Sequence, residues 1–197
     1  MMDSNFFALI SRMRYIARWG LMRNALPENI QEHSHMVAVL AHALGVIRRD
    51  IFHQPCDVNA LATAALYHDA SEILTGDLPT PIKYHNAEIM SAYHAVEDLA
   101  VQKLLGMLPP ELRETYADVL AEDKDGDIYP LVKAADKLSA YIKCIEERKA
   151  GNNEFLSAEA QTRAALEASP LPEVQYFLEH FIPAFERDLD ELGTIGQ

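Results

Sequence analysis

Residues 28–49 read ENIQEHSHMVAVLAHALGVIRR, and their spacing decides the fold class. Asn29 is a helix-capping residue, and Glu32 three positions on completes a capping pattern. Met36, Val37, Leu40, Leu44 and Ile47 then recur at helical period, which predicts one helix from the cap to about Arg49. The same period holds on both sides of this stretch. Residues 4–18 predict a helix, and WGLMRNALPE (19–28) predicts an irregular connection. Asp57 caps a third helix reaching about His68. ASEIL (70–74) is a short helical piece, and TGDLPTP (75–81) is a loop forced by one glycine and two prolines. Residues 87–107 predict a long amphipathic helix. PPELRETYADVL (109–120) opens on prolines, which suit a first turn. KDGD (124–127) is a turn, residues 129–149 and 154–168 are helical, and 173–191 predicts a last helix interrupted near Pro183. No run alternates as a strand does. The expectation is an all-α chain of about seven or eight helices, packed as one domain over residues 1–197.

Composition narrows the function classes. The chain has 197 residues, 49% apolar and 24% charged, with 8 glycines and 10 prolines. That is an ordinary globular balance, which excludes disorder, collagen and disulfide scaffolds. Asp and Glu number 30 against 17 Lys and Arg, a formal charge of −13. A duplex nucleic-acid binder is expected to carry a basic surface, so a nucleic-acid polymer is disfavoured as a partner. The longest apolar run, Val37 to Ile47, is broken by His42 and too short to span a bilayer. The N-terminus lacks the layout of a secretory signal. Two cysteines, Cys56 and Cys144, make no disulfide framework, and a reducing cytoplasm is expected. Gly-rich phosphate loops and a serine-nucleophile elbow are both missing.

The chemistry concentrates in ALATAALYHDASE (60–72). His68 and Asp69 are adjacent, and neighbours can reach one ion only where the backbone permits it, as near a helix end. Glu72 follows four residues after His68 and three after Asp69, on the same face of a continuing helix. Burying three such groups without a partner is costly, and a bound cation relieves that cost. The pair alone is weak, because a solvated helix end also accounts for an HD dipeptide. His33 on the first turns of the capped helix, and Asp136 inside PLVKAADKLSAYIKC (130–144), add to it. Each of these taken singly is more often a satisfied buried polar group or a helix-surface residue.

Taken together, the order H … HD … D on successive helices resembles the HD-domain metal-dependent phosphohydrolases. The likeness is closer to the bacterial HD-domain 5′-deoxynucleotidases. It is carried by FFALISRMRYIARWGLMRN (6–24), ENIQEHSHMVAVLAHAL (28–44), LYHDASEILTGDLPTPIKY (66–84), VKAADKLSAYIKC (132–144) and AGNNEFL (150–156). The HDASEILTGDLPTP block is the specific part. The resemblance implies hydrolysis of deoxyribonucleoside 5′-monophosphates to deoxynucleoside and phosphate, with a metal-activated water as nucleophile, and it implies a homodimer. Other readings of the same residues are an HD-type triphosphohydrolase, a cyclic-nucleotide phosphodiesterase, or a helical regulatory module with a vestigial metal site.

Carried onto this sequence, the resemblance makes His33, His68, Asp69 and Asp136 the ligands of one divalent cation. A mixed nitrogen and oxygen set suits cobalt, manganese, iron or zinc better than Cu(I). Glu72 becomes the general acid or base, and its alternative is a carboxylate that orients a ligand histidine. Arg18 would orient the phosphate through its planar fork; otherwise it is a surface arginine paired with one of the acids. Trp19, the only tryptophan, would pack on the sugar and leave no space for a 2′-hydroxyl; otherwise it is a boundary aromatic. Asp77, Leu78, Pro79 and Thr80 resemble the nucleoside-contacting segment, against the plain reading of a helix-linking turn. Lys83 is a weaker candidate to assist the phosphate.

Overall fold

A computed structural model describes residues 4–83, 85–121 and 126–193, apart from the side chains of Thr80 and Pro81. The first half of the predicted KDGD turn, residues 124 and 125, therefore lies outside the described residues. The described chain is helical, with no strand and a single isolated antiparallel bridge between Ala17 and Asn29. Ten α segments run α1 Phe6–Ile10, α2 Ile30–Val46, α3 Val58–Tyr67, α4 Glu72–Thr75, α5 Thr80–Lys83, α6 Ala87–Gly106, α7 Pro110–Leu120, α8 Tyr129–Lys149, α9 Leu156–Glu167 and α10 Pro172–His180. Two of them, α4 and α5, are single turns, so among the described residues the helices of five or more residues number eight, within the expected seven or eight.

The caps read from sequence do the work assigned to them. The Asn29 side chain accepts from the Glu32 N–H, and Asp57 accepts from the amides of Asn59 and Ala60. Each satisfies donors that a helix start leaves unpaired. On α2 the inward stripe is Ile30, His33, Val37, Leu40, Ala41 and Leu44, all buried. Met36 lies off it, with 36% exposure. A histidine thus occupies a core position, one turn inside the helix.

α2 packs against α3 and α8, and α8 packs in turn against α9. Val37, Leu44, Leu61, Leu138, Ile145 and Leu166 join these elements in the main core, with Val174 of α10. The α2–α3 approach is close at Gly45, where an added Cβ would meet Leu61 Cδ2 at 3.0 Å. A second apolar cluster gathers Phe6, Ala70, Leu104, Leu108 and Leu120 under α6 and α7. It anchors the turn that follows His68 and Asp69. Among the described residues no helix is long and apolar enough to cross a membrane.

Three expectations are corrected. Residues 4–18 are not one helix: α1 passes at Ser11 into a 3₁₀ segment ending at Tyr15. The chain then turns so that the Ile30 N–H reaches the Ile16 carbonyl and the Arg18 N–H reaches the Glu28 carbonyl, both at 3.0 Å. This long-range pairing overrides the local period. The last helix breaks before Pro183 as expected, ending at His180, but beyond it the chain makes a 3₁₀ segment over Ile182–Glu186 rather than helix to 191. Pro183 cannot donate to a helical ladder, and Lys149 Nζ takes the carbonyls of Phe185 and Arg187. Part of the predicted 75–81 loop is helical, since the amides of Ile82 and Lys83 bond the Pro79 carbonyl to form α5.

Candidate metal centre

Three separate elements deliver the candidate ligands. His33 comes from the buried stripe of α2, His68 and Asp69 from the turn that ends α3, and Asp136 from α8. The helix does not continue through the HD pair. It tightens into a run of i→i+3 bonds, Tyr67 to Ala70 and Asp69 to Glu72. That change of backbone lets two sequence neighbours turn to one point.

The atoms meet closely. His33 Nε2 lies 3.1 Å from Asp136 Oδ1 and 3.5 Å from Asp69 Oδ2, and His68 Nε2 lies 3.2 Å from Asp69 Oδ2. One ligand atom from each of His33, His68 and Asp136 falls within 4.8 Å of the others. The far nitrogens are anchored. His68 Nδ1 is 2.7 Å from the Ala65 carbonyl, so it carries the proton and donates it there. His33 Nδ1 faces Ser139 Oγ at 3.2 Å. The Ala65 carbonyl, which only accepts, fixes the His68 tautomer that leaves Nε2 as a lone pair, while the Ser139 hydroxyl holds the His33 ring from behind. Both Nε2 atoms are buried and lack a hydrogen-bond partner. A neutral imidazole nitrogen facing a carboxylate oxygen at these distances repels it unless a proton or a cation lies between them, and a divalent cation there turns the repulsion into ligation. The donor set therefore fits a divalent transition metal.

The charges around this point are strongly displaced. Burial raises the Asp69 and Asp136 carboxyls, but the facing histidines outweigh it and hold both well below the usual range. Burial lowers the His68 imidazole, and Asp69 outweighs that to raise it. Glu72 behaves oppositely. It is 7% exposed, its Oε2 has no partner, and burial, then Asp69 and Asp77, push its carboxyl up to about 10. Such displacement is what proton-transfer sites require.

The other candidates surround the cluster. Arg18 Nη1 lies 3.5 Å from Asp69 Oδ2, which puts the guanidinium against the ligand set. Its Nε and the Trp19 indole N–H both donate to Glu28 Oε2, at 3.2 and 2.9 Å. Asp77, half-buried, is raised by burial, while Arg18 and the Trp19 backbone N–H pull it back. Leu78 and Pro79 are half-buried beside it, and Thr80 opens α5. Lys83 does not point to the phosphate role: its Nζ pairs with Glu97 at 2.9 Å and sits over the Tyr93 ring.

Residues 5–185 match the family model of the YfbR-like 5′-deoxynucleotidases. The chain belongs to this family. A 5′-deoxynucleotidase YfbR of Shigella boydii serotype 18 is 50% identical over 194 residues, 98% of both chains. An HD-domain phosphohydrolase of Listeria innocua, lin2634, superposes with a TM-score of 0.82 at 25% identity, covering 96% of this chain and 92% of its own. The HD phosphohydrolase DatZ of cyanophage S-2L has a TM-score of 0.58 at 26% identity, over 93% of this chain and 96% of its own. That structure is bound to dA and one catalytic zinc ion. Family membership and the superposition account for the all-α frame that brings the HD pair, His33 and Asp136 together.

Sequence reasoning passed over two contacts. Ser139 lies three residues after Asp136, so helical spacing put it on the same face. Glu28 gave no sequence signal, because its partners are set by the long-range turn of the 16–30 segment.

Proposed function

We propose that this chain hydrolyses deoxyribonucleoside 5′-monophosphates to deoxynucleoside and phosphate, at one divalent cation held by His33, His68, Asp69 and Asp136. The observation that carries this reading is the pair of orphaned buried imidazole nitrogens facing two carboxylates. The activity named for the Shigella relative and the dA and zinc of the cyanophage protein support the substrate class and the cofactor. The cation, when bound, supplies Lewis acidity toward a phosphate oxygen and acidifies adjacent water.

The chain's own residues do the rest. Arg18 receives the phosphate dianion locally, which a protein of net charge −13 cannot attract from a distance. Glu72 Oε2 moves the proton, from the attacking water or to the departing 5′ oxygen. Trp19 packs on the deoxyribose and excludes a 2′-hydroxyl. Asp77 accepts from a sugar hydroxyl, and Leu78, Pro79 and Thr80 wall the nucleoside. Cobalt or manganese are the metals we favour, with zinc or iron compatible with the donors. We read residues 1–197 as one catalytic unit acting in the cytoplasm as a homodimer, with a small nucleotide as its substrate.

Chelator-stripped protein, given back cobalt, manganese, magnesium or zinc, tests the reading on dAMP, AMP, dATP and cyclic AMP. Metal-dependent phosphate from dAMP, and little from AMP, is expected. Tripolyphosphate from dATP, or a monophosphate from cyclic AMP, with dAMP left intact would overturn it.

A further inference from the structure

Glu28 stands beside the catalytic cluster. It is largely buried, with its side chain 15% exposed. One of its oxygens, Oε2, accepts from both Arg18 Nε and Trp19 Nε1. Its main-chain carbonyl accepts from the Arg18 N–H at 3.0 Å. The next residue, Asn29, caps the helix that carries His33. Glu28 is therefore tied to Arg18 through side chain and backbone at once, and it adjoins the ligand helix.

Trp19 needs such a tie. Its φ is +58°, in the left-handed region that bulky residues hold only when their surroundings fix them. Two contacts fix the indole: Glu28 on its N–H, and the Phe155 ring edge-on at 5.2 Å. For Arg18, Glu28 occupies the Nε donor and Asp69 faces Nη1, which leaves the remaining N–H groups of the fork to a ligand.

We propose that Glu28 is a positioning residue that couples phosphate affinity to sugar selectivity, because a single carboxylate oxygen sets both the guanidinium and the indole. This inference rests on the 5′-deoxynucleotidase reading and adds to it a residue that touches no reacting atom.

Two substitutions separate the couplings. Glu28→Gln keeps an oxygen acceptor for the indole but removes the charge facing Arg18. Glu28→Ala removes both. Trp19 is the only tryptophan, so its emission and its quenching by acrylamide report its setting without any turnover. Glu28→Ala should shift the emission to the red and raise quenching, while Glu28→Gln should keep the wild-type spectrum. In steady state, both variants should raise KM for dAMP about tenfold, with kcat within about twofold. Only Glu28→Ala should lower the preference for dAMP over AMP, by about tenfold.

Unchanged emission in Glu28→Ala, or a loss confined to kcat, would overturn the inference. Should Glu28→Ala fail to fold, the near-isosteric Glu28→Gln decides through its KM-against-kcat split. A wild-type protein inert on dAMP would instead contradict the functional reading, while the emission measurement still decides the Glu28 contact.

Discussion

His33 Nδ1 and Ser139 Oγ face each other at 3.2 Å across the α2–α8 contact, behind the nitrogen that points to the metal position. Both groups are buried, so no water replaces the hydroxyl freely. Ser139→Ala should therefore weaken metal affinity about 10- to 100-fold. Turnover at saturating metal should stay near wild type. Metal titration of stripped protein, followed by phosphate release, checks this, and wild-type affinity in the variant would remove Ser139 from the account.

Glu72 is buried without a partner on Oε2, which suits a group that exchanges a proton during the reaction. Glu72→Gln keeps size and polarity but cannot transfer a proton. Its kcat should fall about 10²- to 10⁴-fold, with metal content and dAMP binding retained. Near-normal kcat would reduce Glu72 to a residue that orients a ligand.

The same carboxyl makes stability depend on pH. Glu72 is raised from its ordinary 4.5 to about 10 by burial, with Asp69 and Asp77 adding. A raised folded-state value means the contribution is complete below the unfolded value and is lost as pH climbs toward 10. Asp69 and Asp136 are lowered, so theirs is lost only in acid, below their ordinary 3.8. His68, also raised, is common to both proteins and cancels in a comparison. In metal-free protein, the Tm of wild type should therefore fall relative to Glu72→Gln as pH goes from 5 to 9. Parallel curves would show that Glu72 is already ionised.

Away from the metal position, Lys143 and Glu147 form a buried pair on successive turns of α8. Glu147 also accepts from the amides of Ala25 and Leu26 and from Asn152, and Lys143 donates to the Leu26 carbonyl. This network fastens the irregular connection between Trp19 and α2. Lys143→Met should leave a buried carboxylate short of its partner and destabilise the fold by about 3–5 kcal/mol. Urea or thermal unfolding of metal-free protein reads this directly. A loss under about 1 kcal/mol would show that the amides alone satisfy Glu147.

What the sequence made legible was local. Asn29 and Asp57 announced their helices because a cap depends on residues within one turn. His68 and Asp69 stood out because two ligand types fell where a helix ends, and His33 and Asp136 because polar groups stood in apolar stripes, but only the family resemblance joined the four into one ligand set. The missed features are those set by distant partners. The bridge of Ile16–Arg18 to Glu28–Ile30 broke the helix expected over 4–18, and nothing in the period of that segment signals it. Glu28, and the lysine and glutamate of α8, acquire meaning only from the connection folded against them. Ser139 was legible in spacing but not in role, since its value comes from a histidine on another helix.

The most direct test of the metal centre is elemental analysis of the purified protein beside Asp136→Ala and His68→Ala. The wild type should hold about one divalent transition-metal ion per chain, and either variant less than about a tenth of that, with dAMP hydrolysis lost in parallel. Wild-type metal content in both variants, or dAMP hydrolysis by metal-free protein, would contradict it.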